Sequence, residues 1–176
     1  MKIAITGASG FIGRALVDAI EARGDTVVTF IRSDVAQQNA VRWSPHLQSI
    51  NHEDLARAGT IDAVVHLAGA GIADKRWSKA RKQEILESRV KGTALVASTI
   101  GELISPPRVV LSGSAIGIYG SRGEEVLTEA SSRGEGFLAD VCEAWESAAQ
   151  PIVSRGSTVT YLRTGIVMGA SGGALK

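Results

Sequence analysis

Cysteine is nearly missing from this chain. Cys142 stands alone among 176 residues, which excludes an intramolecular disulfide and fits a reducing compartment such as the cytoplasm. Long apolar runs are missing as well: no uninterrupted stretch approaches the ~20 residues of a membrane-spanning helix, and no basic-then-apolar leader opens the sequence. Neither sign of charge dominates. A net charge of +1 offers no general field for nucleic acid or a membrane surface. Repeats, low-complexity tracts and interdomain linkers are absent too. What is present is one domain's worth of chain, 44% hydrophobic with 20 glycines. A domain of this size buries roughly two thirds of its unfolded surface. The composition suits a sheet covered on both faces, whose strands are short apolar runs joined by tight turns.

The most informative stretch is the first. Lys2-Ile3-Ala4-Ile5-Thr6 reads as a buried strand. It runs into Gly7-Ala8-Ser9-Gly10-Phe11-Ile12-Gly13, and Arg14 to Ile20 then continues as an amphipathic helix. A backbone that turns sharply and lies against a pyrophosphate has no room for Cβ atoms at the contacts, and glycine meets both demands. The following helix aims its unpaired N–H groups and positive dipole end at the same loop, making an anion site from backbone alone. Gly7, Ser9, Gly10, Phe11, Ile12, Gly13 and Arg14 are therefore the candidate contacts of a dinucleotide.

Strands and helices alternate onward. The sequence predicts strands at Thr26–Ile31, Val41–Trp43, Ile61–Leu67, Arg108–Leu111 and Thr158–Leu162, with helices from Lys79 to Leu103 and from Phe137 to Ala149. The inner face of the long helix is read as Ile85, Ser88 or Arg89, Gly92, Leu95 or Val96, Thr99 and Leu103, with Gly92 placed for close packing on the sheet. This order implies an α/β fold, a doubly wound and mostly parallel sheet with right-handed crossovers.

The glycine spacing T-G-x-x-G-x-x-G resembles that of the short-chain dehydrogenase/reductase superfamily. Further stretches sharpen the likeness: His66-Leu67-Ala68-Gly69, Ile72-Ala73-Asp74-Lys75-Arg76-Trp77, Ser88-Arg89-Val90-Lys91-Gly92-Thr93, Leu111-Ser112-Gly113-Ser114-Ala115 with Tyr119-Gly120, and Leu162-Arg163-Thr164-Gly165-Ile166-Val167. Together they resemble the extended, nucleoside-diphosphate-sugar epimerase-like branch of that superfamily, in which Arg89 stands where typical members carry asparagine. The resemblance spans essentially the whole chain.

Several site residues follow. The second strand ends Phe30-Ile31-Arg32-Ser33, with a guanidinium where an NAD-selective site places a carboxylate for the ribose hydroxyls. Arginine pairs with a 2′-phosphate, so the expected cofactor is NADP(H), with Arg32 on the phosphate and Arg14 adding charge. The other reading leaves Arg32 solvated and gives the ribose to Asp34. Leu67, Ala68 and Gly69, at a strand's carboxyl end, line the cofactor crevice or simply form a small-residue turn. His66 is read as a packed strand residue. Arg76 and Trp77 either clamp and stack on a small-molecule substrate or pin their own loop.

The resemblance implies a catalytic tyrosine, a lysine four residues later on the same helix face, and a serine at the preceding strand end. Ser114 keeps the serine position, but Phe137 and Val141 stand where the other two align, and neither moves a proton. Asp140 and Tyr119 are the candidate substitutes, Tyr119 also as a substrate contact. The plainer readings make Asp140 an exposed helix charge, Tyr119 a packed loop residue and Cys142 a small buried hydrophobe. No metal site is expected. Two functions remain: an NADP(H)-dependent epimerase or oxidoreductase-like enzyme, or a non-catalytic dinucleotide-binding regulator. The resemblance also implies a further strand and a substrate-binding part after Lys176. Residues 1–176 are thus expected to be the dinucleotide-binding domain, C-terminally incomplete, with an open sheet edge that takes a second copy or another partner.

Overall fold

A computed structural model describes residues 1–73, 75–170 and 172–173. Its element order is β1 (Lys2–Thr6), α1 (Phe11–Ala22), β2 (Thr26–Ile31), β3 (Ala40–Ser44), β4 (Ser49–Ile50), α2 (His52–Ala58), β5 (Ala63–His66), α3 (Lys79–Gly101), β6 (Val109–Ala115), a 3-10 turn (Ile116–Tyr119), α4 (Phe137–Ser147), α5 (Gln150–Val153), β7 (Thr158–Thr164), β8 (Met168–Gly169) and β9 (Gly172–Gly173). The main sheet runs β4-β3-β2-β1-β5-β6-β7. Every neighbouring pair is parallel except β3 with β4. Strand order reverses between β1 and β5, and a crevice outside the carboxyl ends of these strands is where such sheets bind ligands.

Alternate residues of β1 face two separate cores, which is why the strand is apolar throughout. Ile3 and Ile5 pack with Ile20, Val27 and Val65 against α1. Ala4 joins Val28, Val64, Val96 and Ile100 on the α3 side, where Trp43, Leu55 and Ile152 complete the larger core. The β7 edge differs from this centre: none of its seven residues is fully buried.

The predicted elements are present, with shifted ends and additions. The third strand extends to Ala40–Ser44 and turns back through Pro45 to pair antiparallel with β4, at Trp43 with Ile50 and Ser44 with Ser49. Helix α2 is an addition the apolar pattern did not mark. Asn51 caps it, its side chain accepting from the Asp54 N–H at 2.8 Å. Within it, Asp54 is fully buried and accepts from Arg42 Nε at 2.6 Å and Nη2 at 3.0 Å, and from Arg57 at 2.9 Å. The Arg42 guanidinium holds the Asp54 carboxyl well below the usual carboxylate range.

The inner face of α3 includes Ile85, Gly92, Leu95 and Val96 as expected, but Ile100 rather than Thr99 is buried, and the helix ends at Gly101. A Cβ on Gly92 would lie 3.7 Å from His66 and 3.9 Å from Trp43, ordinary contact distances. Close packing therefore does not demand glycine there. Strand β6 continues to Ala115, so Ser114 lies in its body and pairs in register with Arg163 of β7. Among the described residues no helix is long and apolar enough to cross a membrane.

The short β8–β9 hairpin returns to the start of α1. Cβ atoms built on Gly169 and Gly172 would fall 2.5 Å and 2.8 Å from the Phe11 ring, so a side chain at either position would push the ring aside. Ser171 and Ala174–Lys176 of the glycine-rich tail, and Asp74 of the Ile72–Trp77 run, lie outside the described residues.

Candidate functional site: a glycine cradle and a committed side-chain network

The cradle is made of contacts that leave no space for side chains. Gly7 has φ +72°, and a Cβ there would sit 2.9 Å from the Leu67 carbonyl carbon and 3.0 Å from the Ala68 nitrogen. On Gly13 it would sit 2.1 Å from the Gly7 oxygen, inside hard-sphere contact. The Gly10 N–H closes the turn onto the Gly7 oxygen at 2.9 Å, and Gly10 is the N-terminal cap of α1 with no side chain over the free N–H groups. No acidic residue stands in that first turn, so the helix carries no charge of its own to offset its positive end. Arg14 donates to the Ser9 carbonyl at 2.7 Å, tying helix and loop together. Ser9 and Ile12 are exposed and Phe11 is half-buried.

Thr6 and His66 brace the cradle from below. Thr6 Oγ1 accepts from the N–H groups of Leu67 at 3.1 Å and Ala68 at 3.2 Å, so its proton goes to His66 Nδ1 at 2.7 Å. The His66 ring is fully buried with its edge toward Trp43, its Nε2 has no partner among the described residues, and burial brings its pKa down to about 4. It is a neutral packing residue, as the sequence suggested. The same three bonds fix the Leu67–Gly69 turn beside Gly7, so the cofactor candidates from two distant stretches meet in one place. Arg32, exposed just past β2, has no ion pair or hydrogen bond among the described residues.

The β6–β7 end is built differently, and the residues expected to act on a substrate are held there by other side chains. Ser114, expected to hold a substrate oxygen, is 2% exposed and donates to Glu146 Oε1 at 2.6 Å. Tyr119, expected as a substrate contact or substitute base, is also buried; its hydroxyl accepts from Arg163 Nη1 at 2.9 Å and the guanidinium lies 5.3 Å from its ring centre. Arg163 grips Glu146 with two 2.9 Å bonds. Burial raises the Glu146 pKa, but bonds from Arg163 and Ser114 outweigh it and hold the carboxyl below its usual range. Those bonds use the polar atoms of Ser114, Glu146 and Arg163 internally. Sequence reasoning missed Glu146, whose only signal was its place on the inner face of α4.

Helix α4 turns different residues toward its two neighbours. Phe137 and Val141 face α3, lining with Trp77, Lys82, Leu86 and Ala144 a cavity of about 660 Å³. Toward the end of β6 the helix presents Leu138 and Cys142: a Cβ on Gly117 would lie 3.2 Å from Leu138 Cβ and 3.8 Å from Cys142 Sγ. The face differs from the expected one, but it too lacks a tyrosine–lysine pair. Cys142 is buried against Ile118 and Tyr119, and burial pushes its thiol pKa up. Asp140 is exposed and paired with Arg133. Trp77 donates its indole N–H to the Ile72 carbonyl at 2.7 Å and meets the Phe137 ring edge-on at 5.5 Å, while Arg76 is exposed beside it. No cluster among the described residues could hold a metal ion.

A glycine cradle on a doubly wound sheet, with an uncapped helix N-terminus behind it, defines a dinucleotide-binding α/β protein. The chain belongs to the NAD dependent epimerase/dehydratase family, whose pattern it matches over residues 3–137. It is 36% identical over 174 residues to an epimerase family protein of Mycobacterium bovis and 33% identical over 177 residues to the epimerase family protein YfhF of Bacillus subtilis. Those alignments cover 99% and 98% of this chain but 56% and 57% of the relatives, so it spans about half the length of the curated proteins it matches. Among solved structures it resembles a nucleoside-diphosphate sugar epimerase from Corynebacterium glutamicum, with TM-score 0.84 and 35% identity over 99% of this chain and 36% of that one. It also resembles the human epimerase family protein SDR39U1 (isoform 2), solved with NADPH, with TM-score 0.85 and 29% identity over 99% of this chain and 57% of that one.

Proposed function

We propose that this chain is the NADP(H)-binding part of an epimerase- or oxidoreductase-like protein acting on a small molecule. The observation that carries the reading is the cradle, with Arg32, unpaired among the described residues, at the neighbouring strand end. The loop accepts no side chain at Gly7 or Gly13, which suits a close backbone approach to a pyrophosphate. Arg32 is free to pair with a 2′-phosphate, and the human relative solved with NADPH supports the same choice. When bound, the nicotinamide would supply hydride transfer at the carboxyl ends of β1, β5 and β6. The chain's own residues hold the Leu67–Gly69 turn through Thr6, keep His66 neutral, and exclude water with the packed Cys142–Tyr119 cluster.

The proton-transfer step does not use the superfamily's tyrosine and lysine. Losing such a group typically costs ~10²–10⁴ in rate. The apolar pair Leu138 and Cys142 favours, as a second reading, a dinucleotide-binding regulator that performs no turnover.

Calorimetric titration with NADPH and NADH tests the cofactor assignment. The expected result is clear preference for NADPH, with Arg32→Asp weakening NADPH by about 50-fold, the worth of a charge-assisted bidentate contact, and leaving NADH nearly unchanged. Equal losses for the two cofactors would remove Arg32 from the 2′-phosphate.

A further inference from the structure

Arg42, Arg122 and Arg163 treat their carboxylates alike. Each offers the parallel Nε–H and Nη2–H edge of its guanidinium, Arg42 to Asp54, Arg122 to Glu125 and Arg163 to Glu146, at 2.6–3.0 Å. This is the fork that matches two anionic oxygens at once. Arg89 is held as firmly but differently. Its Nη1 donates to the carbonyls of Ala70 at 2.9 Å and Ile85 at 3.1 Å, and its guanidinium lies 5.0 Å from the Trp145 ring centre. Its Nε–Nη2 edge bonds to no acceptor among the described residues.

The location gives this edge its meaning. A Cβ on Gly69 would lie 3.4 Å from Arg89 Cγ and Cζ, so the guanidinium stands directly behind the turn that follows β5. That turn is fixed to Thr6 and adjoins Gly7, at the point where the strand order reverses. The carboxylates of α4 are committed elsewhere, Glu143 to Arg133 and Glu146 to Arg163. Acceptors are scarce here as well, since the Trp145 indole N–H is buried without one among the described residues. Burial pulls the Arg89 pKa below the usual guanidinium value, and no carboxylate among the described residues is paired with it.

We infer that Arg89 is the anion receptor of the substrate side of the crevice, taking two oxygens of a substrate carboxylate or phosphate across its Nε–Nη2 edge. The inference rests on the cofactor reading above and adds the substrate's chemical class: a small molecule bearing a carboxylate or a phosphate. Two carbonyls and an indole face pre-set the guanidinium, so little side-chain freedom is lost on binding.

Arginine Nε–H resonances in ¹⁵N–¹H spectra of the NADPH-loaded chain report on this edge directly. Acetate and methyl phosphate are the anionic probes, acetamide the neutral one, and Arg89→Lys identifies the signal. The expected result is a saturable downfield shift at Arg89 with acetate, methyl phosphate or both, and none with acetamide. Arg89→Lys should bind the anion about tenfold more weakly while keeping NADPH affinity. Response to one anion alone tells a carboxylate substrate from a phosphorylated one. Absence of a saturable shift with either anion overturns the inference. So does an equal shift at exposed Arg23, which marks generic ion pairing. A parallel loss of NADPH affinity in Arg89→Lys would assign the edge to the cofactor's diphosphate and overturn it too. If the wild-type chain binds no NADPH, the cofactor reading fails by itself, and the Arg89 signal can still be followed in the unloaded protein.

Discussion

Along the carboxyl edge of the sheet, the β1 end and the β6–β7 end answer opposite demands. At β1 the decisive residues have no side chains: Gly7 and Gly13 bring backbone to within contact of backbone, and the polar groups left over belong to a helix terminus. At β6–β7 the decisive residues are polar, and Ser114, Glu146 and Arg163 spend their side-chain bonds inside one network, in which the Tyr119 hydroxyl accepts from Arg163. The first end leaves its hydrogen-bonding capacity for a ligand. The second uses it to hold α4 against β6 and β7. The contrast teaches that charged clusters near a crevice are not all sites; what matters is which donors remain free.

The comparison breaks most visibly at Gly13. Gly13→Ala forces a methyl to 2.1 Å from the Gly7 oxygen; the expected outcome is loss of NADPH binding in calorimetry with about 3 kcal/mol less stability in urea. Retained affinity would mean that the loop gives way, and that the cradle is softer than its contacts imply.

His66 sets the next effect. Its native pKa of about 4 lies below the ordinary 6.5, so the unfolded chain takes up a proton first as pH falls. Stability contributed by the neutral ring is present above about pH 6.5 and is lost toward pH 4, by up to about 3 kcal/mol. Denaturant midpoints across that window should slope accordingly, and His66→Gln, though weaker at pH 7, should lack the slope. A flat wild-type curve would show that the ring is more accessible than its burial indicates.

Glu146→Ala should sharpen the contrast with a smaller effect. It strands a partly buried Arg163, with an expected loss of about 2 kcal/mol and NADPH affinity unchanged. Should affinity fall in step with stability, the network would belong to the binding half after all.

The β1 end was legible in the sequence because its information is local: strand, loop and helix start occupy thirteen consecutive residues. The parallel order was legible for a similar reason, since each buried strand is a short apolar run between turns. Helix α2 was not, because seven residues leave little periodicity and its cap is a single Asn51 bond. Nor was the Ser114–Glu146–Arg163 network, which joins three elements through side chains with no pattern along the chain. Nor does a sequence resemblance that puts Phe137 and Val141 at the tyrosine and lysine positions fix which face of α4 meets the end of β6. One residue turns a helix by about 100°, enough to exchange Phe137 and Val141 for Leu138 and Cys142 at the end of β6.

Phe11 occupies two roles at once. It opens the helix whose N-terminus faces the phosphate cradle, and its ring is the surface on which Gly169 and Gly172 rest. The stretch after β7 is thereby packed on the first turn of α1, which follows a strand three places from β7 in the sheet. The residue that opens the helix behind the glycine loop is thus also the seat of the hairpin that follows β7, so a change at Phe11 touches both.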